Sequence, residues 1–548
     1  MRKSLLIISI LALLSVAAFF VYRYITKPKP TNPNAMGQVT TYAGTGAPGS
    51  ADGPRHEASF SDPFGVAVDR RGNVVVSDGA TNRLRLITPQ GEVKTLGGSG
   101  EGYADGPALE AQFNTPSAIA FDAAGNLIIA DTSNNRIRKL SADYQTVSTI
   151  AGSGAQGFKD GPADEAQFDG PIGVAVDRQG NIYVADAYND RVRKITTDGN
   201  VSTFAGSPDA TDAGAVALKL DTPCGVAVDA LGNLFIADTG NGEVHKLKPD
   251  GEVIHIFAQA EGLGTVSARH TRPLALVTTP DNFVYCTTAQ SGGVGRINPD
   301  ETFTLIAGSR DGIADGTGEQ AQFNRPSGIA LDRQGNLFVA DSQNYLVRKI
   351  TLVAPPSLTG DSASPPELFI QPATEPINSN AAELIPRLDA SVLNITQPMP
   401  WPVAPQNQWH EVTGVVGEAR GNFNGTALDH LHAGLDVRGV MGEPCLSIYD
   451  EKVADPLPNW GFQQSGEGTH VGAFSYIHIR VGRDTSGQLQ APEKFKAQLD
   501  ASGKLAGVRV RRGARFRVGD FLGTLNQLYH VHLNLGPWNA IANPMQLP

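Results

Sequence analysis

Near the C-terminus the chain reads YHVHLNLG over 529–536, an alternating apolar run that predicts a strand. Alternate strand positions share a face, so His530 and His532 lie on one side, about 6–7 Å apart along the backbone. Two other segments carry similar residues. HLHAGLDV at 430–437 supplies His432 and Asp436, and FSYIHIRV at 474–481 supplies His478. Imidazole and carboxylate are zinc ligands, and imidazole is the commonest general base. By itself, a histidine pair on a strand is an ordinary surface or core feature. On a straight strand His432 and Asp436 sit about 13 Å apart, too far to share one ion. Gly434 between them permits a bend that closes the gap.

The three motifs gain meaning from their order. His432-Ala-Gly-Leu-Asp436 fits H-x-G-x-D, Tyr476-Ile-His478 fits Y-x-H, and His530-Val-His532 fits H-x-H. Gly442-Glu-Pro-Cys445 and RRGARFRVGDFLGTL stand as supporting landmarks between them. Residues 410–548 therefore resemble the lysostaphin-type zinc metallopeptidases, a group that includes many peptidoglycan endopeptidases. The resemblance implies Zn2+ held by His432, Asp436 and His532, with water in the fourth position of a catalytic site. It implies His478 and His530 as the non-ligand pair that orients or deprotonates the water and stabilises the oxyanion. Which of the two is the base stays open. The implied substrate is peptidoglycan or another peptide. The sequence departs from the family in two loops. RDTSGQLQAPEKFKAQLDASGKLAG follows the second motif as a long insert, and NQLY precedes HVH where a glycine-rich turn is usual. His430 offers a shifted ligand register, and His470 reads as a strand residue. Two other readings are a degenerate, non-catalytic envelope scaffold and a peptidase acting on a protein substrate.

The elements that must support this site begin far upstream. From about 38 to 352 the chain repeats one unit, clearest as GVAVDRQGNIYVADAYNDRVRKI at 173–195. Copies start at Gly65, Ala118, Gly225 and Gly328, and a degenerate one at Leu274. Within each, alternating strands reverse at a Gly-Asn turn, which predicts four-stranded blades. These units resemble NHL repeats, and six of them imply a six-bladed β-propeller. The sixth unit ends at KITLVAPP without its fourth strand, while an unassigned VTTYAG begins at residue 39. An N-terminal strand completing the last blade leaves no open edge. Asp105, Asp160 and Asp315 in the inserts, and Asp69, Asp131 and Asp186, read as turn and strand-end residues rather than calcium ligands. The expected class is all-β: a propeller over 38–353, a proline-rich linker over 354–405, and a small β-sheet-rich zinc peptidase domain over 406–548. The propeller reads as a binding platform whose partner stays open, a protein among the candidates.

The first 30 residues place Arg2 and Lys3 before an uncharged stretch from Ser4 to Tyr22, long enough to span a bilayer. Phe19, Phe20, Val21 and Tyr22 close that stretch where a cleavage site would want small residues, which favours a membrane anchor over a cleaved signal. The expected location is the bacterial cell envelope, anchored in the inner membrane and facing the periplasm or exterior, or secreted if the segment is cleaved. A net charge of -11 argues against a nucleic-acid partner. Cys224, Cys286 and Cys445 are too few for a disulfide framework and read as small buried hydrophobes.

Overall fold

A computed structural model describes residues 32, 34–206, 214–257, 272–353 less 290 and 309, and most of 400–535. Within the last stretch 407–411, 415–418, 421–429, 432–434 and a few shorter points are excluded. The N-terminal segment, the linker over 354–399 and His432 lie outside the described residues.

Six antiparallel sheets account for the repeats. Their innermost strands are Pro63–Val68, Pro116–Phe121, Pro171–Val176, Pro223–Val228, Pro273–Thr278 and Pro326–Leu331, which define blades 1 to 6. Each innermost strand packs on the next, and the sixth returns to the first, so the ring closes. The closing strand is Met36–Ala43, paired antiparallel with Leu346–Val353. VTTYAG thus fills the position that KITLVAPP leaves empty. Apolar clusters lie between adjacent blades, as where Val75 and Leu86 meet Ile119 and Leu127. Sheet-on-sheet burial of this kind rewards the alternating Val, Ile and Leu of every copy.

The inserts do more than turn. Gly53–Pro54, Gly106–Pro107, Gly161–Pro162 and Gly316–Thr317 each add a short fifth strand to a blade edge. Asp105 accepts from Arg138 at 2.5 Å and from the Thr149 backbone N–H at 3.0 Å. Asp131 meets the same guanidinium at 2.7 Å, with both side chains fully buried. Asp160 and Asp186 flank Arg193 in this way, and Asp315 and Asp341 flank Arg348. Reading these aspartates as turn chemistry alone was incomplete: they neutralise the arginine buried in blades 2, 3 and 6, which would be costly if left unpaired. Asp69 does hold its own turn, accepting from the backbone of Arg71 and Asn73.

The C-terminal domain centres on a six-stranded antiparallel sheet. Its order is Val412–Gly414, Leu435–Arg438, His530–Leu535, Phe474–Ile477, Gly468–Val471 and Asn459–Trp460. A second sheet, Pro444–Leu446, Phe521–Leu525 and Ile479–Val481, shares a core with it that includes Val437, Phe474, Tyr476, Leu522 and Val531. The long insert forms a hairpin, Phe495–Leu499 with Leu505–Val510.

This hairpin and its exit seat the domain on the propeller, over the end where the innermost strands begin. Arg512 reaches Asp62 at 2.7 Å and Ser117 Oγ at 3.0 Å, with its guanidinium 3.8 Å from the Phe64 ring centre. Arg511 pairs with Asp169, and Arg509 bridges Asp190 and Asp221, both at 2.8 Å. Lys452 reaches Asn114 at 3.0 Å, and in the opposite sense Arg325 of blade 6 meets Asp455 at 3.3 Å. Arg272 of blade 5 donates to the Leu457 carbonyl. All six blades therefore touch the C-terminal domain, blades 1 to 4 through its basic side chains and blades 5 and 6 through arginines of their own.

Candidate hydrolytic site

The central strand of the larger sheet places the site. His530–Leu535 lies between Leu435–Arg438 and Phe474–Ile477, so each motif with described residues meets its neighbour across a ladder. In that register Asp436 stands directly opposite His532, and His532 stands opposite Ile477 on the other side. Directly opposed positions in an antiparallel pair have Cα atoms about 4.5–5.5 Å apart. Asp436 is buried, at 1% exposure.

His478 enters by a backbone device. It sits between Phe474–Ile477 and Ile479–Val481 with φ 68, a left-handed conformation uncommon for a non-glycine residue. The turn lets one strand feed both sheets. Tyr476, two residues earlier, stays in the core, its hydroxyl accepting from the Ile448 N–H at 3.1 Å. The Asn526 N–H bonds the His478 carbonyl at 3.0 Å and pins the turn.

Three of the five expected residues are thereby gathered through their side chains. The rings of His478 and His530 meet edge-on with centres 4.7 Å apart. His530 Nε2 lies 3.6 Å from Asp436 Oδ1. His530 Nδ1 is 2.8 Å from the Leu528 carbonyl. A carbonyl only accepts, so Nδ1 carries a proton, and Nε2 faces the Asp436 carboxylate. His532 joins by its place on the strand, and His432 lies outside the described residues. His470, read as a strand residue, lies on Gly468–Val471 and bonds Ser475 at 3.1 Å, away from the cluster.

The cysteines take no part. All three are buried free thiols, with Cys224 and Cys286 pushed up to about 12 by burial. The sequence reasoning missed Glu243, His245 and His255 in blade 4, whose donor atoms lie within 4.8 Å of one another. A histidine replacing the repeat's arginine was the available signal.

A family model described as NHL repeat matches residues 113–140, 168–195 and 323–350, all within the propeller. The chain is similar to NHL repeat-containing protein 2 of Bos taurus, 28% identical over 302 residues, covering 53% of this chain and 38% of that protein. It is similar to Protein SUPPRESSOR OF QUENCHING 1, chloroplastic, of Arabidopsis thaliana, 27% identical over 285 residues, covering 47% of this chain and 27% of that protein. The chain thus spans well under half the length of either relative. Among solved structures, a Bacteroides thetaiotaomicron protein of unknown function is 18% identical, covers 58% of this chain and 76% of that one, and superposes with a TM-score of 0.44. The chain carries NHL repeats in an all-β, propeller-like fold.

Proposed function

We propose that the chain is a zinc-dependent endopeptidase of the bacterial cell envelope that hydrolyses peptide bonds of peptidoglycan, its propeller holding the hydrolytic domain. One observation carries the reading: Asp436, His478 and His530, from three distant segments, converge beside the strand position of His532. A buried carboxylate among imidazoles is a donor set that suits zinc. His432, Asp436 and His532 would hold the ion. When bound, zinc would polarise the scissile carbonyl and bring the pKa of a water close to neutrality.

The protein groups divide the remaining work. With Nδ1–H held by the Leu528 carbonyl, His530 takes the proton at Nε2. His478, fixed by its backbone turn against the His530 ring, donates a hydrogen bond to the oxygen that gains charge. The wall as substrate rests on the N-terminal segment, which reads as an export address.

The test is release of soluble muropeptides from purified sacculi by the full-length chain in detergent micelles, beside chelator-treated and Asp436→Asn samples. Release by the untreated wild type alone supports the proposal. Equal release by the treated or substituted protein contradicts the zinc chemistry, and no release from a zinc-loaded chain contradicts the wall as substrate.

A further inference from the structure

The propeller is its own control, because one arrangement recurs and blade 4 alone rewrites it with ligands. In blades 1, 2, 3 and 6 an arginine on the third strand pairs directly with a threonine on the fourth. These pairs are Arg85 with Thr95, Arg138 with Thr149, Arg193 with Thr203, and Arg348 with Thr41. An insert aspartate binds both members of each pair, as Asp52 binds Arg85 and Thr95. Blade 5 holds Gly295 opposite Leu305 there. In blade 4 both members are histidines, His245 opposite His255, and Glu243 precedes His245 by two residues on the same strand. One histidine could stand in for arginine. Two cross-strand histidines with a glutamate beside them need another account.

The geometry supplies one. Glu243 Oε2 lies 3.9 Å from His245 Nε2 and 3.9 Å from His255 Nδ1. The two rings meet edge-on with centres 4.9 Å apart. An ion with ligand bonds of about 2.0–2.2 Å in tetrahedral geometry sets its ligand atoms roughly 3.4 Å apart. The two Glu243 pairs need close by about half an ångström, and the widest separation in the group, within 4.8 Å, by up to about 1.4 Å. Asp238 Oδ2 sits 3.0 Å from His245 Nε2 and is fully buried, a second carboxylate at the same nitrogen. His245 is 1% exposed, and its Nδ1 is buried without a hydrogen-bond partner. The His255 side chain is half exposed, which opens a path for an ion and leaves room for water.

We propose that Glu243, His245 and His255, supported by Asp238, form a binding site for a divalent transition-metal ion of the zinc class on the outer strands of blade 4. Two imidazoles and carboxylate oxygen without thiolate suit Zn2+, Ni2+ or Co2+ rather than Cu+ or Ca2+. The site is separate from the one in the C-terminal domain and does not depend on it.

Co2+ is the probe, added to the metal-free full-length chain at about 10 µM free ion, with bound metal counted after gel filtration and the visible spectrum recorded. His255→Thr restores the residue of the other blades at a half-exposed position, so the fold should survive. It is expected to bind about one equivalent fewer than the wild type and to lose the corresponding absorption. His245→Arg with His255→Thr, the full reversion to the pattern of blades 1, 2, 3 and 6, should do the same. Asp436→Asn is expected to keep that equivalent, which separates this site from the proposed zinc of the C-terminal domain. Equal counts in wild type and His255→Thr would overturn the proposal, as would an Asp436→Asn chain that binds no Co2+.

Discussion

Arg512→Met tests how the two domains are joined. The Arg512 side chain is fully buried and that of Asp62 is 5% exposed. The guanidinium serves Asp62, the Ser117 hydroxyl and the Ala454 carbonyl while lying on the Phe64 ring. Methionine keeps much of the volume and the contact with Phe64, but strands a carboxylate away from water. Removing one partner of a buried pair costs about 3–5 kcal/mol. Arg325 still gives Asp62 some positive field, so the lower end, about 3 kcal/mol, is expected. At about 1.4 kcal/mol per factor of ten, docking weakens roughly a hundredfold. Small-angle scattering and hydrogen exchange at the strand starts of blades 1 and 2 read the loss, with exposed Arg517→Met as control. Asp62→Asn added to Arg512→Met removes the stranded charge and should recover a large part. A single-variant loss below about 1 kcal/mol, with unchanged scattering, would refute a buried ionic latch.

Other consequences follow from the same physics. Burial, reinforced by Arg325, lowers the His470 pKa to about 4. Its neutral form therefore stabilises the fold above the unfolded value near 6.5, and that contribution is lost as pH falls from there toward 4. Replacing His470 with Asn should flatten this acid limb in urea titrations. Arg138→Met strands Asp131 in blade 2 and should cost about 3–5 kcal/mol in thermal or chemical unfolding, whereas loss of an exposed pair such as Lys159 with Glu165 should leave the transition nearly unmoved. Cys224 and Cys286, with pKa values near 12, should resist maleimide at pH 7.5 until the chain unfolds, as labelling kinetics followed by mass spectrometry will record.

Much of the propeller was legible because a repeat states its pattern six times. Proline entry, alternating strand and Gly-Asn turn recur in register, and the missing strand after KITLVAPP pointed to VTTYAG. The fate of the insert aspartates was not legible. Asp105 meets Arg138 through a fold-back between strands, which no local pattern encodes. The domain interface was hidden for a stronger reason, since Asp62 and Arg512 lie at opposite ends of the chain and each resembles any surface charge. In the C-terminal domain, motif order selected Asp436, His478 and His530, and pairing across one central strand gathers them. The φ of 68 that turns His478 away from the face of Tyr476 leaves no trace in the residue types around it. His255 was invisible as a partner of His245 until the blade 4 register set them opposite each other.

The measurement that bears most directly on the hydrolase reading is the rate of peptide-bond cleavage in sacculi by zinc-loaded His478→Ala and His530→Ala, each matched to wild type in metal content and melting temperature. Loss of positioned proton transfer or oxyanion support predicts rates about 100- to 10,000-fold below wild type, with zinc still bound. Wild-type rates in both variants would contradict the account, because the two histidines would then be bystanders to whatever chemistry the domain performs.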